Sequence, residues 1–220
     1  MTDDFQMDWD RQSRIGLGEA VFCADKTPDQ IERILDASQA RNQRLLFTRL
    51  SQQKHAHLSA YLTKDLDYDP ESETGFFMSN SFATKESQVA IVTAGTSDAK
   101  VAREAARTLE FNGIGTSLIF DVGVAGLWRL NARIDKIRQF PVVIAVAGMD
   151  AALVSVLGGL VSGVIIAVPT STGYGAARNG ETALAASLVS CSAGVVVCNI
   201  DNGFGAACAA IRILGASSHF

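Results

Sequence analysis

Val89-Ala90-Ile91-Val92-Thr93-Ala94 runs straight into Gly95-Thr96-Ser97-Asp98, and then Val101, Ala105, Ala106 and Leu109 follow at helical spacing. A short, unbroken apolar run rich in β-branched residues reads as a strand covered on both faces, and the glycine and hydroxyl turn after it as the start of a helix. The same pattern recurs at 116–121, 142–147, 164–168 and 195–200, with helix-length segments between. Repeated strand and helix units of this kind predict an α/β fold: a parallel sheet with helices on both faces, in three layers.

The chain ahead of this sheet has a different character. Residues 1–88 hold 15 of the 23 acidic and 10 of the 19 basic residues, so charge thins out sharply beyond Gln88. We expect a small N-terminal α/β domain over 1–86 and the sheet domain over 87–220, with the boundary at about 84–88. Within the first domain, Thr27-Pro28-Asp29-Gln30 supplies an N-cap, a first-turn proline and an acidic residue ahead of Ile31, Ile34 and Leu35, which predicts a helix over about 28–41. Residues 19–23 and 44–48 read as strands and 52–64 as a helix, while the acidic stretch 67–75 reads as a loop.

A 220-residue chain that is 48% hydrophobic and 19% charged can bury a substantial core, which excludes disorder as its main state. The net charge of −4 gives no electrostatic reason to bind nucleic acid or a membrane surface. An uncharged interval runs from Ala151 to Ala177, but the pair Gly158-Gly159, a turn at Ser162-Gly163 and Pro169 interrupt it, which argues against a membrane span. Cys23, Cys191, Cys198 and Cys208 lie at no metal-binding spacing, and the expectation is a cytoplasmic protein with free thiols. Histidine occurs only at 55, 57 and 219, so chemistry must come from carboxylates, thiols, hydroxyls and backbone groups.

In parallel sheets of this kind ligands bind beyond the carboxyl ends of the strands. Those ends carry Gly95, Thr96, Ser97 and Asp98; Asp121, Gly123, Val124, Ala125 and Gly126; Ala147-Gly148-Met149-Asp150; Thr170, Ser171, Gly173, Tyr174 and Gly175; and Asn199, Asp201, Asn202 and Gly203. A phosphate cradle and an ordinary capped turn are both open readings of the first loop. Cys191 falls between a helix and the last strand, at the opposite end from this crevice. Its position favours a structural thiol unless a neighbouring subunit brings the two ends together.

As an ordered set these segments, with Ser190-Cys191 and 199–205, resemble the LarB family, the pyridinium-3,5-biscarboxylic acid mononucleotide synthases, which have a PurE-like, flavodoxin-like fold. Asp10, Arg11, Arg14, Gly16, Glu19, Lys26-Thr27 and Thr48-Arg49 extend the resemblance into the first domain. It implies an enzyme that carboxylates the pyridinium ring of nicotinic acid adenine dinucleotide, using carbon dioxide or bicarbonate, and cleaves the phosphoanhydride to release AMP. Cys191 takes the family's nucleophile position, Asp150 stands where the family usually has Glu, and Trp128 where it has His. The strand-end residues become the substrate-binding set. No tightly bound cofactor is implied, and a requirement for magnesium stays open. The other activity of the fold, aminoimidazole ribonucleotide carboxylation or mutation, relies on a histidine after the second strand, where this chain has none. A nucleotide-binding module without turnover is the third reading. The resemblance implies a homo-octamer, and the small-residue segment 203–215 is expected to pack, through Ala210 among others, against another subunit.

Overall fold

The computed structural model describes residues 5–78 and 87–217. The expected boundary at 84–88 falls largely outside them. The chain divides into two compact units, Met1–Phe82 and Ala83–Phe220.

The first unit contains α1 (Arg11–Ile15), β1 (Ala20–Phe22), α2 (Pro28–Arg41), β2 (Leu45–Thr48), α3 (Gln52–Ala56), α4 (Ala60–Thr63), β3 (Leu66–Asp69) and β4 (Thr74–Phe77). Helix α2 begins at the expected capping box: the Thr27 hydroxyl accepts from the Gln30 N–H, and the Gln30 side chain accepts from the Thr27 N–H. Its Ile31, Ile34 and Leu35 are buried against Val21, Phe47 and Phe77 of the sheet. The sheet has the order β1-β2-β4-β3, with β1 and β2 parallel and the other pairs antiparallel. Two features correct the sequence reading. The segment 52–64 is two short helices, with the break at His57–Ser59. The acidic stretch 67–75 is a hairpin, because Leu66 and Phe77 bury in the core while Asp67 faces solvent, and the Asp69 carboxylate caps the turn through the Ser72 N–H and hydroxyl.

The second unit runs β5 (Ser87–Thr93), α5 (Ala99–Phe111), β6 (Gly115–Ile119), α6 (Leu127–Asn131), α7 (Ile134–Ile137), β7 (Val142–Ala147), α8 (Ala152–Leu160), β8 (Val164–Pro169), α9 (Glu181–Leu188), β9 (Val196–Val197) and α10 (Gly203–Ser217). All five strands are parallel in the order β6-β5-β7-β8-β9, the flavodoxin-like arrangement expected. Alternate residues feed two cores. Ala90, Val92, Val143, Ala145, Ile165 and Ala167 pack with α8 and α9, whereas Val89, Ile91, Val142, Ile144 and Ile166 pack with α5 and α10. This covers both faces and explains why the strands carry no polar alternation. Among the described residues no helix is long and apolar enough to cross a membrane.

Helix α10 departs from expectation. Gly203, Ala206, Ala207 and Ala210 are buried inside this unit, in the α5 face of the sheet, so its small residues serve close packing within the chain. A side chain on Gly203 would collide with the Val101 carbonyl, and Ala210 faces its own chain rather than a neighbouring subunit. Buried Glu104 of α5 accepts from the Phe204 N–H at the start of α10. Glu104→Ala is expected to lower the unfolding free energy by about 2 kcal/mol, the scale of a charge-assisted cap, and Glu104→Gln by less; chemical denaturation with both variants checks this.

Candidate functional site

Strand order reverses between β5 and β7, each of which leads into a helix on a different face. Ligand crevices form at such points. A cavity of about 870 Å³ opens there, large enough for a nucleotide-sized ligand. Its walls are mainly apolar, from Ala94, Val124, Ala125, Ala151, Leu153 and Ala177, and its charged groups are Asp98, Asp121, Asp150 and Arg129.

The backbone around the mouth is bent rather than regular. Asp121 (φ 57°), Met149 (φ 54°) and Ala151 (φ 50°) all adopt the left-handed conformation, which is uncommon outside glycine. Asp121 is held there by its N–H, which donates to the Thr93 hydroxyl at 3.0 Å, and this turns its carboxylate toward Arg129, whose Nη1 lies 2.8 Å from Oδ2. The Met149 N–H donates to the Thr172 carbonyl, tying the β7 loop to the β8 loop. Asp150, exposed at the rim, accepts from the Ala152 N–H and so caps α8 while leaving its carboxylate open to the cavity.

Asp98 is the buried member of the set, 2% exposed. Its Oδ2 accepts from the Gly95 N–H at 2.8 Å and its Oδ1 from the Thr170 hydroxyl at 2.7 Å. Both carboxylate oxygens are thereby committed to holding the β5 loop against the end of β8.

The structure therefore divides the residues singled out from the sequence. Gly95, Asp98, Asp121, Gly123, Val124, Ala125, Asp150, Tyr174 and Gly175 line the cavity. Thr96, Ser97, Gly126, Thr170, Ser171, Gly173, Asn199, Asp201, Asn202 and Gly203 are not among its lining residues. Several of these brace its rim instead. Asp201 accepts from the Ser171 N–H, Asn202 caps α10 through the Gly205 N–H, and buried Thr170 is spent on Asp98. The sequence reading did not pick out Arg129. It is the cavity's guanidinium, and its Nε–H is buried with no acceptor. The available signal was a basic residue just past the glycine turn of β6, in a domain half with little charge.

Cys191 lies in the loop from α9 to β9 and does not line the cavity. The loop is pinned by the Ser190 and Ser155 hydroxyls, 2.8 Å apart, and by the Ser192 hydroxyl donating to the Ser155 carbonyl. None of the four cysteines is in a disulfide, and Cys191 is the exposed one. Burial pushes the Cys23 thiol up to about 12 and also raises Cys198. Because the thiolate is the reactive form, iodoacetamide at pH 8 is expected to modify Cys191 at least tenfold faster than Cys23 or Cys198, as read by peptide mass spectrometry over time.

Among the described residues no group of three or more His, Cys, Asp or Glu side chains gathers in a way that could hold a metal ion.

Comparison with known proteins places both units. Residues 88–220 match the family described as AIR carboxylase, and residues 2–79 match a LarB/PurE-like N-terminal domain. An uncharacterised protein of Methanocaldococcus jannaschii is 37% identical over 210 residues, covering 91% of this chain and 80% of that one. A crystal structure of a Treponema denticola PurE2 variant is similar to 58% of this chain and 79% of its own, with 23% identity and a TM-score of 0.49.

Proposed function

The chain belongs to the AIR carboxylase family, with a LarB/PurE-like N-terminal domain, and from this we propose that it carboxylates the pyridinium ring of nicotinic acid adenine dinucleotide and hydrolyses the phosphoanhydride, releasing AMP. Carbon dioxide or bicarbonate is the second substrate. The observation that carries this reading is Cys191, the exposed free thiol in a chain whose residues 89–218 contain no histidine.

The chemistry gives the thiol its place. A pyridinium ring is electron-poor and does not attack carbon dioxide. Addition of a thiolate forms a carbon–sulfur bond and makes a dihydropyridine, whose enamine-like carbon then attacks and takes up the carboxylate. Asp150 removes the proton from that carbon, the carbon–sulfur bond breaks, and the thiolate leaves as aromaticity returns. Water cleaves the phosphoanhydride. Asp150 suits the base because its carboxylate reaches the cavity while only one of its oxygens is engaged, in the cap of α8.

Cys191 must come to a cavity it does not line, and in this proposal a neighbouring copy supplies it within a homo-octamer. Leu188, Val189 and Val196 stand exposed beside Cys191, and β9 is an edge strand, so the region offers apolar surface and unpaired backbone to another chain. The test mixes Cys191→Ala with a second variant inactivated at Asp150. If thiol and cavity come from different chains, the mixture regains a measurable part of wild-type activity; no recovery after subunit exchange contradicts the arrangement.

A further inference from the structure

We propose that Tyr174 is a movable aromatic cover that selects the positively charged ring of the ligand, so that the pyridinium half rather than the purine half occupies the cavity. This rests on the dinucleotide reading above and says which part of that ligand the site recognises and by what.

Tyr174 lines the cavity and yet is 82% exposed, which places its ring at the mouth without packing around it. Its backbone is fixed. On one side Gly173, at φ 139°, sits so close to Ala177 and Met149 that a Cβ there would lie 2.6 Å from the Ala177 Cβ and 3.0 Å from the Met149 sulfur. On the other, the Tyr174 carbonyl accepts from the Ala177 N–H at 3.0 Å. The tyrosine side chain is not held in the same way. Rotation about its first side-chain torsion, a fast motion that needs no backbone change, is open to a side chain so exposed.

The cavity's charge says what the cover would close on. Three carboxylates and one guanidinium line it, and in apolar walls such an excess of negative charge favours a cationic ligand group over a neutral one. A flat cationic ring under an aromatic face gains a cation–π attraction that a neutral ring lacks. Closure on one face of a pyridinium also leaves the opposite face for a thiolate.

The experiment is isothermal titration calorimetry of the full chain, in carbonate-free buffer, with nicotinic acid adenine dinucleotide and with its dihydropyridine form, which keeps every other group but loses the ring charge. The wild type is expected to prefer the oxidised form. Tyr174→Ala should shrink that preference about tenfold, a loss on the scale of a desolvated cation–π contact, by weakening the oxidised form alone, and Tyr174→Phe should retain it. An unchanged preference in Tyr174→Ala, equal weakening of both forms, or loss of the preference in Tyr174→Phe overturns the proposal while leaving the dinucleotide reading in place. Failure of the wild type to bind either form removes both.

Discussion

Cys191→Ala is expected to abolish ring carboxylation, by a factor of at least about a thousand, because without a covalent adduct no carbon of the pyridinium is nucleophilic enough to take up carbon dioxide. Binding of the dinucleotide should change by less than about tenfold, since the cavity that would hold it is walled by other residues. Cys191→Ser should behave in the same way, because an alkoxide is far less available than a thiolate at neutral pH. Single-turnover assays beside calorimetry separate the two effects, and wild-type turnover in either variant would remove the thiol from the mechanism.

The second large effect is structural. Asp98→Ala removes two hydrogen bonds to a buried carboxylate at once and leaves the Thr170 hydroxyl buried without its acceptor. Loss of about 3 kcal/mol is expected, from charge-assisted bonds of ~1.5 kcal/mol or more each, with a fall in melting temperature of roughly 10 °C for a chain of this size. Thermal unfolding followed by circular dichroism measures it. Asp98 makes no bond that would be broken by removing ligand, so the destabilisation should be equal with and without dinucleotide once the binding contribution is subtracted. A variant that melts like the wild type but binds dinucleotide a hundredfold more weakly would reassign Asp98 from bracing the loop to contacting the ligand.

The sheet domain was legible because its strands are buried on both faces. Val89 to Thr93 and Val142 to Ala147 carry the unbroken apolar signal that such burial demands. The hairpin of β3 and β4 was hidden, since the acidic residues of its turn outnumber the few side chains that mark it as paired. The last strand is shorter than its apolar run suggests: only Val196 and Val197 form a ladder with β8, and beyond them single bonds from the Cys198 and Asp201 N–H groups to the Ala167 and Pro169 carbonyls keep the chain alongside.

For the site, the glycine and acid clusters at the strand ends pointed to the right rim, but turn chemistry and ligand chemistry use the same residues. Asp98 and Thr170 illustrate the limit. Each reads as a candidate contact, and only their pairing across 72 residues shows that they spend their polar atoms on each other. Arg129 escaped notice for the converse reason: its place just past the glycine turn of β6 is a weak mark, and what brings it to the cavity's acid is the left-handed Asp121 that turns to meet it.

The central claim is tested most directly by incubating the full chain with nicotinic acid adenine dinucleotide and carbon-13 bicarbonate and analysing the products by mass spectrometry. The account predicts AMP together with a pyridinium mononucleotide that has gained one labelled carboxylate. Unlabelled dinucleotide returned intact, alongside label entering aminoimidazole ribonucleotide in a parallel reaction, would contradict it.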